Sequence, residues 1–112
     1  MDHKSFTESL NNMMGEAHTL AQSKGWWTPD PGLPTALVMV HAEVSEMVEA
    51  IRNGNPSSQK IPEFSCAEEE AADVVIRIMD LCASRDFRLS EAIVAKHKFN
   101  KNRSYRHGGK SF

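Results

Sequence analysis

The chain has 112 residues, of which 40% are hydrophobic and 25% are charged, and its formal net charge is −2. This length predicts one domain, and no apolar run approaches the ~20 residues that cross a bilayer, so we expect no membrane segment. The amino-terminal residues show no apolar signal-peptide core. Cys66 and Cys82 lack the spacing of a metal site. We therefore expect a cytoplasmic protein with reduced thiols.

Apolar residues recur at helical spacing in four segments, and no segment predicts a strand. The predicted helices cover residues 5–24, 34–52, 65–84 and 90–102. Ser65 and Ser90 are predicted to cap the third and fourth helices. Short connections favour an antiparallel four-helix-type bundle, so the expected fold is all-α, in one domain over residues 1–112.

Charge is distributed unevenly along the chain. Residues 1–95 sum to −8, whereas residues 96–112 sum to +6 and contain no acid. Lys96, Asn100 and Arg103 follow i, i+4, i+7 spacing, which places them on one helix face. Cations at such positions can bind phosphates. A mobile basic tail is expected over residues 103–112, and a tail that binds nucleic acid is the alternative interpretation.

Two acidic pairs are the most informative pattern. Glu43 and Glu46 lie on the second predicted helix, and Glu70 and Asp73 lie on the third. Glu43 and Glu70 each fall roughly 80–90° from the centre of the apolar face of their helix. Antiparallel packing of those faces would bring the four carboxylates to one groove, where hard oxygen ligands select Mg²⁺ or Mn²⁺. The alternative is an ordinary solvated helix surface.

With these motifs in place, the chain resembles the MazG-like all-α nucleoside triphosphate pyrophosphohydrolases, as a small single-domain member. The family's ExxE and ExxD pairs match Glu43, Glu46, Glu70 and Asp73. The Gly25-Trp26-Trp27 loop and the basic end of the chain from Lys96 to Lys110 are also similar. The resemblance covers about Ser5 to Lys110.

The resemblance implies an enzyme that hydrolyses (d)NTP to (d)NMP and pyrophosphate. Glu43, Glu46, Glu70 and Asp73 would be the catalytic and metal-binding residues, with Mg²⁺ as cofactor and Mn²⁺ as a substitute. Water activated by the metal would attack the α phosphorus. Lys96, Asn100 and Arg103 would contact the phosphates or the sugar. A homodimer or homotetramer is expected, with no membrane partner and no nucleic acid.

The base-binding residues are less well defined. Trp26 and Trp27 are candidates because aromatic rings stack on bases, and His18 and Asn12 are polar candidates on the first helix. Packing roles for the two tryptophans are the alternative. The competing function is a non-catalytic all-α interaction module whose basic tail binds nucleic acid or an acidic partner. A ferritin-like redox centre is disfavoured, because Glu-x-x-His pairs are missing.

Overall fold

A computed structural model describes residues 1–105, and within them it confirms the predicted all-α class. The four helices are α1 (His3–Ser23), α2 (Leu33–Arg52), α3 (Cys66–Ser84) and α4 (Leu89–Lys101). None of these helices has both the length and the apolar character needed to cross a membrane. The predictions made for residues 106–112, including a mobile tail, lie outside the described residues.

Side-chain caps explain where two of the helices begin. Asp2 accepts hydrogen bonds from the backbone N–H groups of Lys4 and Ser5, so α1 starts two residues before its predicted start. The predicted Ser65 cap of α3 is confirmed. Its hydroxyl accepts from the Glu68 N–H at 3.1 Å, and the Glu68 carboxylate accepts from the Ser65 N–H at 3.0 Å. This reciprocal capping box satisfies two backbone donors at the helix start.

The predicted Ser90 cap of α4 is wrong, because Arg88 occupies the cap position. Ser90 lies one residue inside the helix and is completely buried. Its hydroxyl lies 2.6 Å from Asn11 Oδ1 on α1. The hydroxyl is therefore used between helices, where it fixes α4 against α1.

The helices contact one another in the order α2, α3, α1, α4, with α3 packed between α2 and α1. Glu43 of α2 contacts Arg77 of α3, whereas Glu46, further along α2, approaches Glu70, which is earlier in α3. The two helices therefore run antiparallel. The buried core lies between α1 and α3, where Met14 packs with Met79, Leu81 and Cys82 of α3, and α2 covers one side of it. A single chain thus forms an open arrangement in which α4 packs against α1.

Helix α2 has two adjacent apolar faces, and only one of them is covered. Leu33, Ala36 and Val40 pack against the core. A second set, here called the α2 stripe, is 45–58% exposed; it consists of Leu37, Val44, Val48 and Ile51. The two faces are centred about 55–60° apart on the helix. The sequence predicts Glu43 at the edge of the apolar face of α2. Because α3 packs on the first face, Glu43 is instead buried, with only 8% of its surface exposed.

Candidate metal and nucleotide site

Five carboxylates converge between α2 and α3. One oxygen from each of Glu43, Glu46 and Glu70 lies within 4.8 Å of the other two. Glu70 belongs also to a second group of the same size, together with Glu69 and Asp73. We call these five residues the acidic cluster. It contains all four acids singled out in the sequence, and Glu70 links its two halves.

Arg77 is the charge partner of Glu43. Arg77 Nε lies 2.9 Å from Glu43 Oε1, and both groups are largely buried. Burial opposes ionisation of Glu43, but the hydrogen bond from Arg77 and hydrogen bonding with Glu46 and Glu70 outweigh it. The pKa of Glu43 is therefore lowered. Glu43 is thus held as an anion before any other cation arrives.

Glu70 has the opposite environment. Burial, then hydrogen bonding with Glu43 and Glu46, then the negative charges of those two groups, raise the pKa of Glu70 to about 7. Burial and the charges of Glu43 and Glu69 likewise raise the pKa of Asp73. Burial, together with the contacts to Glu43 and Glu46, therefore favours the protonated form of Glu70 up to about neutral pH.

The acidic cluster fits a divalent metal ion. Glu70 Oε2 is buried and has no hydrogen-bond partner among the described residues. An unsatisfied buried oxygen costs free energy, and a cation would satisfy it while offsetting the negative charges of Glu43 and Glu46. All five groups offer carboxylate oxygens, the ligand type that Mg²⁺ and Mn²⁺ prefer.

Glu69 is held by the loop between α2 and α3. It accepts a short hydrogen bond from the Ser58 hydroxyl, and Lys60 Nζ lies 3.9 Å from its second oxygen. Ser58 is 2% exposed, and its hydroxyl oxygen also accepts from the N–H groups of Lys60 and Ile61. The loop therefore closes one end of the acidic cluster and fixes one of its carboxylates.

A cavity of about 170 Å³ lies next to the acidic cluster, and we call it the aromatic cleft. Its lining includes Trp26, Trp27, Met39, Arg77 and Asp80. Met39 lies four residues before Glu43, which is about 6 Å along the helix. The cleft and the carboxylates therefore occupy successive turns of the same α2–α3 groove.

Asp80 holds two of the predicted base-binding residues in place. Its carboxylate accepts from Trp27 Nε1 at 2.9 and 3.0 Å and lies 2.7 Å from His18 Nδ1. The rings of His18 and Trp27 meet edge to face, with centroids 5.5 Å apart. Trp27 also packs against the core. Trp26, in contrast, is 59% exposed, so its ring is the one available for stacking.

Four other predicted contact residues lie elsewhere. Asn12 is exposed on α1 and lines a separate cleft on that helix. Lys96 and Asn100 line a shallow depression on α4, where Lys96 Nζ lies 4.7 Å from the ring centroid of Phe99. Arg103 is exposed beyond the end of α4. None of these four residues lines the acidic cluster or the aromatic cleft of its own chain.

Sequence reasoning missed Arg77, Asp80 and Glu69 as parts of the site. A signal for the first two was present. Glu70, Asp73, Arg77 and Asp80 follow i, i+3, i+7, i+10 spacing, which makes one continuous polar stripe on α3. No periodic signal identified Glu69, because the loop that binds it belongs to no helix.

Comparison of the chain with protein-family models, with curated proteins and with solved structures finds no match.

Proposed function

We propose that this chain is a Mg²⁺-dependent nucleoside triphosphate pyrophosphohydrolase that converts (d)NTP to (d)NMP and pyrophosphate. The observation that carries the proposal is the acidic cluster, with the unpartnered Glu70 Oε2 at its centre and the aromatic cleft beside it. The sequence resemblance to MazG-like enzymes supports this reaction rather than another metal-assisted hydrolysis.

Glu43, Glu46, Glu70 and Asp73 would hold the ion. When bound, a divalent ion stabilises charge on phosphate oxygens and makes water more acidic. Glu46 is the exposed member of its group of three. A carboxylate that reaches solvent can accept the proton of the attacking water, so we assign Glu46 as the general base.

The groove sets the orientation of the nucleotide. A base stacked on Trp26 in the aromatic cleft would direct its phosphates along α2 towards Glu43, about one helical turn away. Base–aromatic stacking is worth ~1–3 kcal/mol. The second oxygen of Asp80 accepts only from Trp27 within the described residues, so it retains acceptor capacity that a base N–H group can use. This arrangement supports a nucleotide as the substrate.

The α2 stripe supports a homo-oligomer. Its four apolar side chains are about half exposed along nearly the whole length of α2. A contiguous apolar stripe of this kind is typical of a subunit interface, and a two-fold partner would cover it with the same surface. A homodimer or homotetramer is therefore part of the proposal. In it, Lys96 and Arg103 are free to act on another subunit's substrate.

Release of pyrophosphate from a panel of canonical and modified NTPs and dNTPs, with Mg²⁺ or Mn²⁺, tests the proposal. We expect Glu46→Gln and Asp73→Asn to lower kcat by at least about 100-fold, the loss typical of a missing acid–base or charge-stabilising group. Glu49→Gln, on the exposed side of α2, is the matched control and should retain activity. Circular dichroism checks that the helices persist. Absence of turnover by the wild type on every triphosphate contradicts the proposal.

One observation favours a second candidate. Lys96 of α4 lines a depression that contains no residue of the acidic cluster, as expected if it binds a separate anionic partner. In that case the protein is a non-catalytic interaction module, and the acidic cluster is a surface feature. A salt-sensitive gel shift with RNA or DNA, without triphosphate turnover, distinguishes this function from the enzyme.

A further inference from the structure

Arg77 joins the two halves of the candidate site. Its Nε donates to Glu43 at 2.9 Å, and its Cζ lies 5.8 Å from the centroid of the Trp26 ring. It also lines the aromatic cleft. Within residues 1–105, Arg77 is the only cation that is hydrogen-bonded to Glu43, Glu46 or Glu70. It therefore occupies the position between the carboxylates and the cleft where nucleotide phosphates would lie.

Most of the guanidinium is unused. An arginine carries five N–H donors, but only Nε of Arg77 donates to another group within the described residues. The side chain is 30% exposed, and neither terminal nitrogen is among the fully buried, unpartnered atoms of the described residues, so both nitrogens reach the surface. A guanidinium with free terminal nitrogens can bind a phosphate through two parallel hydrogen bonds.

Resting on the proposed function, we propose that Arg77 is an exchangeable counterion. In the metal-free protein it neutralises Glu43. When Glu43 instead binds a divalent ion, Arg77 leaves it, remains against Trp26, and donates its terminal nitrogens to a phosphate of the nucleotide. The reason is electrostatic, since Arg77 and a metal ion compete for the same carboxylate oxygen while a polyphosphate offers new negative charge nearby. Arg77 thereby supplies, in the same chain, the phosphate contact predicted for Lys96 and Arg103.

The proposal predicts that loss of Arg77 changes the affinity for a metal ion and the affinity for a phosphate in opposite directions. Arg77→Met should bind Mn²⁺ about tenfold more tightly than the wild type, since a charge-assisted hydrogen bond no longer competes for Glu43. Free Mn²⁺ is measured by electron paramagnetic resonance, without nucleotide. The same variant should bind inorganic tripolyphosphate about tenfold more weakly at saturating Mg²⁺, measured by calorimetry. Tripolyphosphate is used because it has no base and reports only the phosphate contact. Arg77→Lys, which keeps the charge, should show smaller changes in both measurements.

Arg85→Met is the matched control. Arg85 donates to both oxygens of Asp30 at 3.1 Å, and its Cζ lies 5.8 Å from the centroid of the Trp27 ring. It therefore has the same kind of partners as Arg77, but outside the acidic cluster. Its loss should change neither the Mn²⁺ affinity nor the tripolyphosphate affinity.

Unchanged or weaker Mn²⁺ binding by Arg77→Met overturns the proposal, and so does unchanged tripolyphosphate binding. These results are separate from the fate of the proposed function. If the wild type hydrolyses triphosphates but Arg77→Met leaves both affinities unchanged, only the role of Arg77 is wrong. If both affinities change as expected but the wild type hydrolyses no triphosphate, the counterion role stands and the enzyme assignment fails.

Discussion

Glu70→Gln should stabilise the metal-free protein while weakening the proposed metal site. The pKa of Glu70 is raised from 4.5 to about 7, chiefly by burial and then by its contacts with Glu43 and Glu46. Below pH 4.5 the carboxyl is protonated in both the folded and the unfolded chain. Between pH 4.5 and about 7 the folded protein retains a proton that the unfolded chain has released, so its stability falls as pH rises. Above pH 7 Glu70 is ionised in both states, so the full free-energy cost of its buried charge lowers the stability of the folded protein.

The size of the effect follows from that shift. A full shift from 4.5 to 7 corresponds to a limit of about 3 kcal/mol, at 1.36 kcal/mol per pKa unit. Glu70 is half-buried, so solvent screening reduces this value, and we expect Glu70→Gln to gain about 1–2 kcal/mol at pH 8. The gain should be close to zero at pH 4.5. For a chain of this length it corresponds to an increase in Tm of about 4–8 °C.

Thermal unfolding followed by circular dichroism, in EDTA at pH 4.5 and pH 8 and at one protein concentration, measures this difference. If the proposed metal site is correct, added Mg²⁺ should raise the Tm of the wild type at pH 8 but have little effect on Glu70→Gln, which lacks one of the proposed ligands. Glu49→Gln, exposed on α2, controls for the general effect of removing one negative charge. A Glu70→Gln protein that is no more stable than the wild type at pH 8, or equally stabilised at both pH values, refutes the reasoning.

Two further predictions concern packing. Asp80→Ala should lower the free energy of unfolding by about 2–4 kcal/mol in urea titrations, because the buried N–H of Trp27 loses its acceptor and His18 loses its partner. Asp30→Ala, which removes an exposed carboxylate, should have a much smaller effect, and equal losses would show that Asp80 does not organise the cleft. Val48→Glu places a charge in the α2 stripe, so sedimentation velocity should show a shift from oligomer to monomer with helical content retained. An unchanged sedimentation coefficient would mean that the stripe is not the interface.

Local features of the fold were predictable because they depend on neighbouring residues in the chain. Helical spacing of apolar residues identified the all-α class. The cap of α3 at Ser65 was also predictable, since Ser65 and its partner Glu68 lie within one helical turn. Spacing also singled out four acids that the structure brings into one cluster. For Ser90 the same reasoning failed. A serine near a helix start can cap it or bond to another helix, and Asn11, 79 residues away in the chain, decides between these roles.

The amino-acid sequence by itself determined that this chain forms helices, that two of them carry paired carboxylates, and that residues 96–112 carry a net positive charge and no acid. Only the tertiary structure decided which face of α2 is covered, so that Glu43 is buried against Arg77 while the α2 stripe stays exposed. It also decided that Asp80 joins His18 to Trp27 and that α4 lies on α1, away from the acids. The physical reason is that periodicity specifies where a side chain lies around its own helix axis. Which neighbour it meets depends on how the helices pack. Because α2 has two apolar faces, its sequence alone did not specify which of them packs against α3.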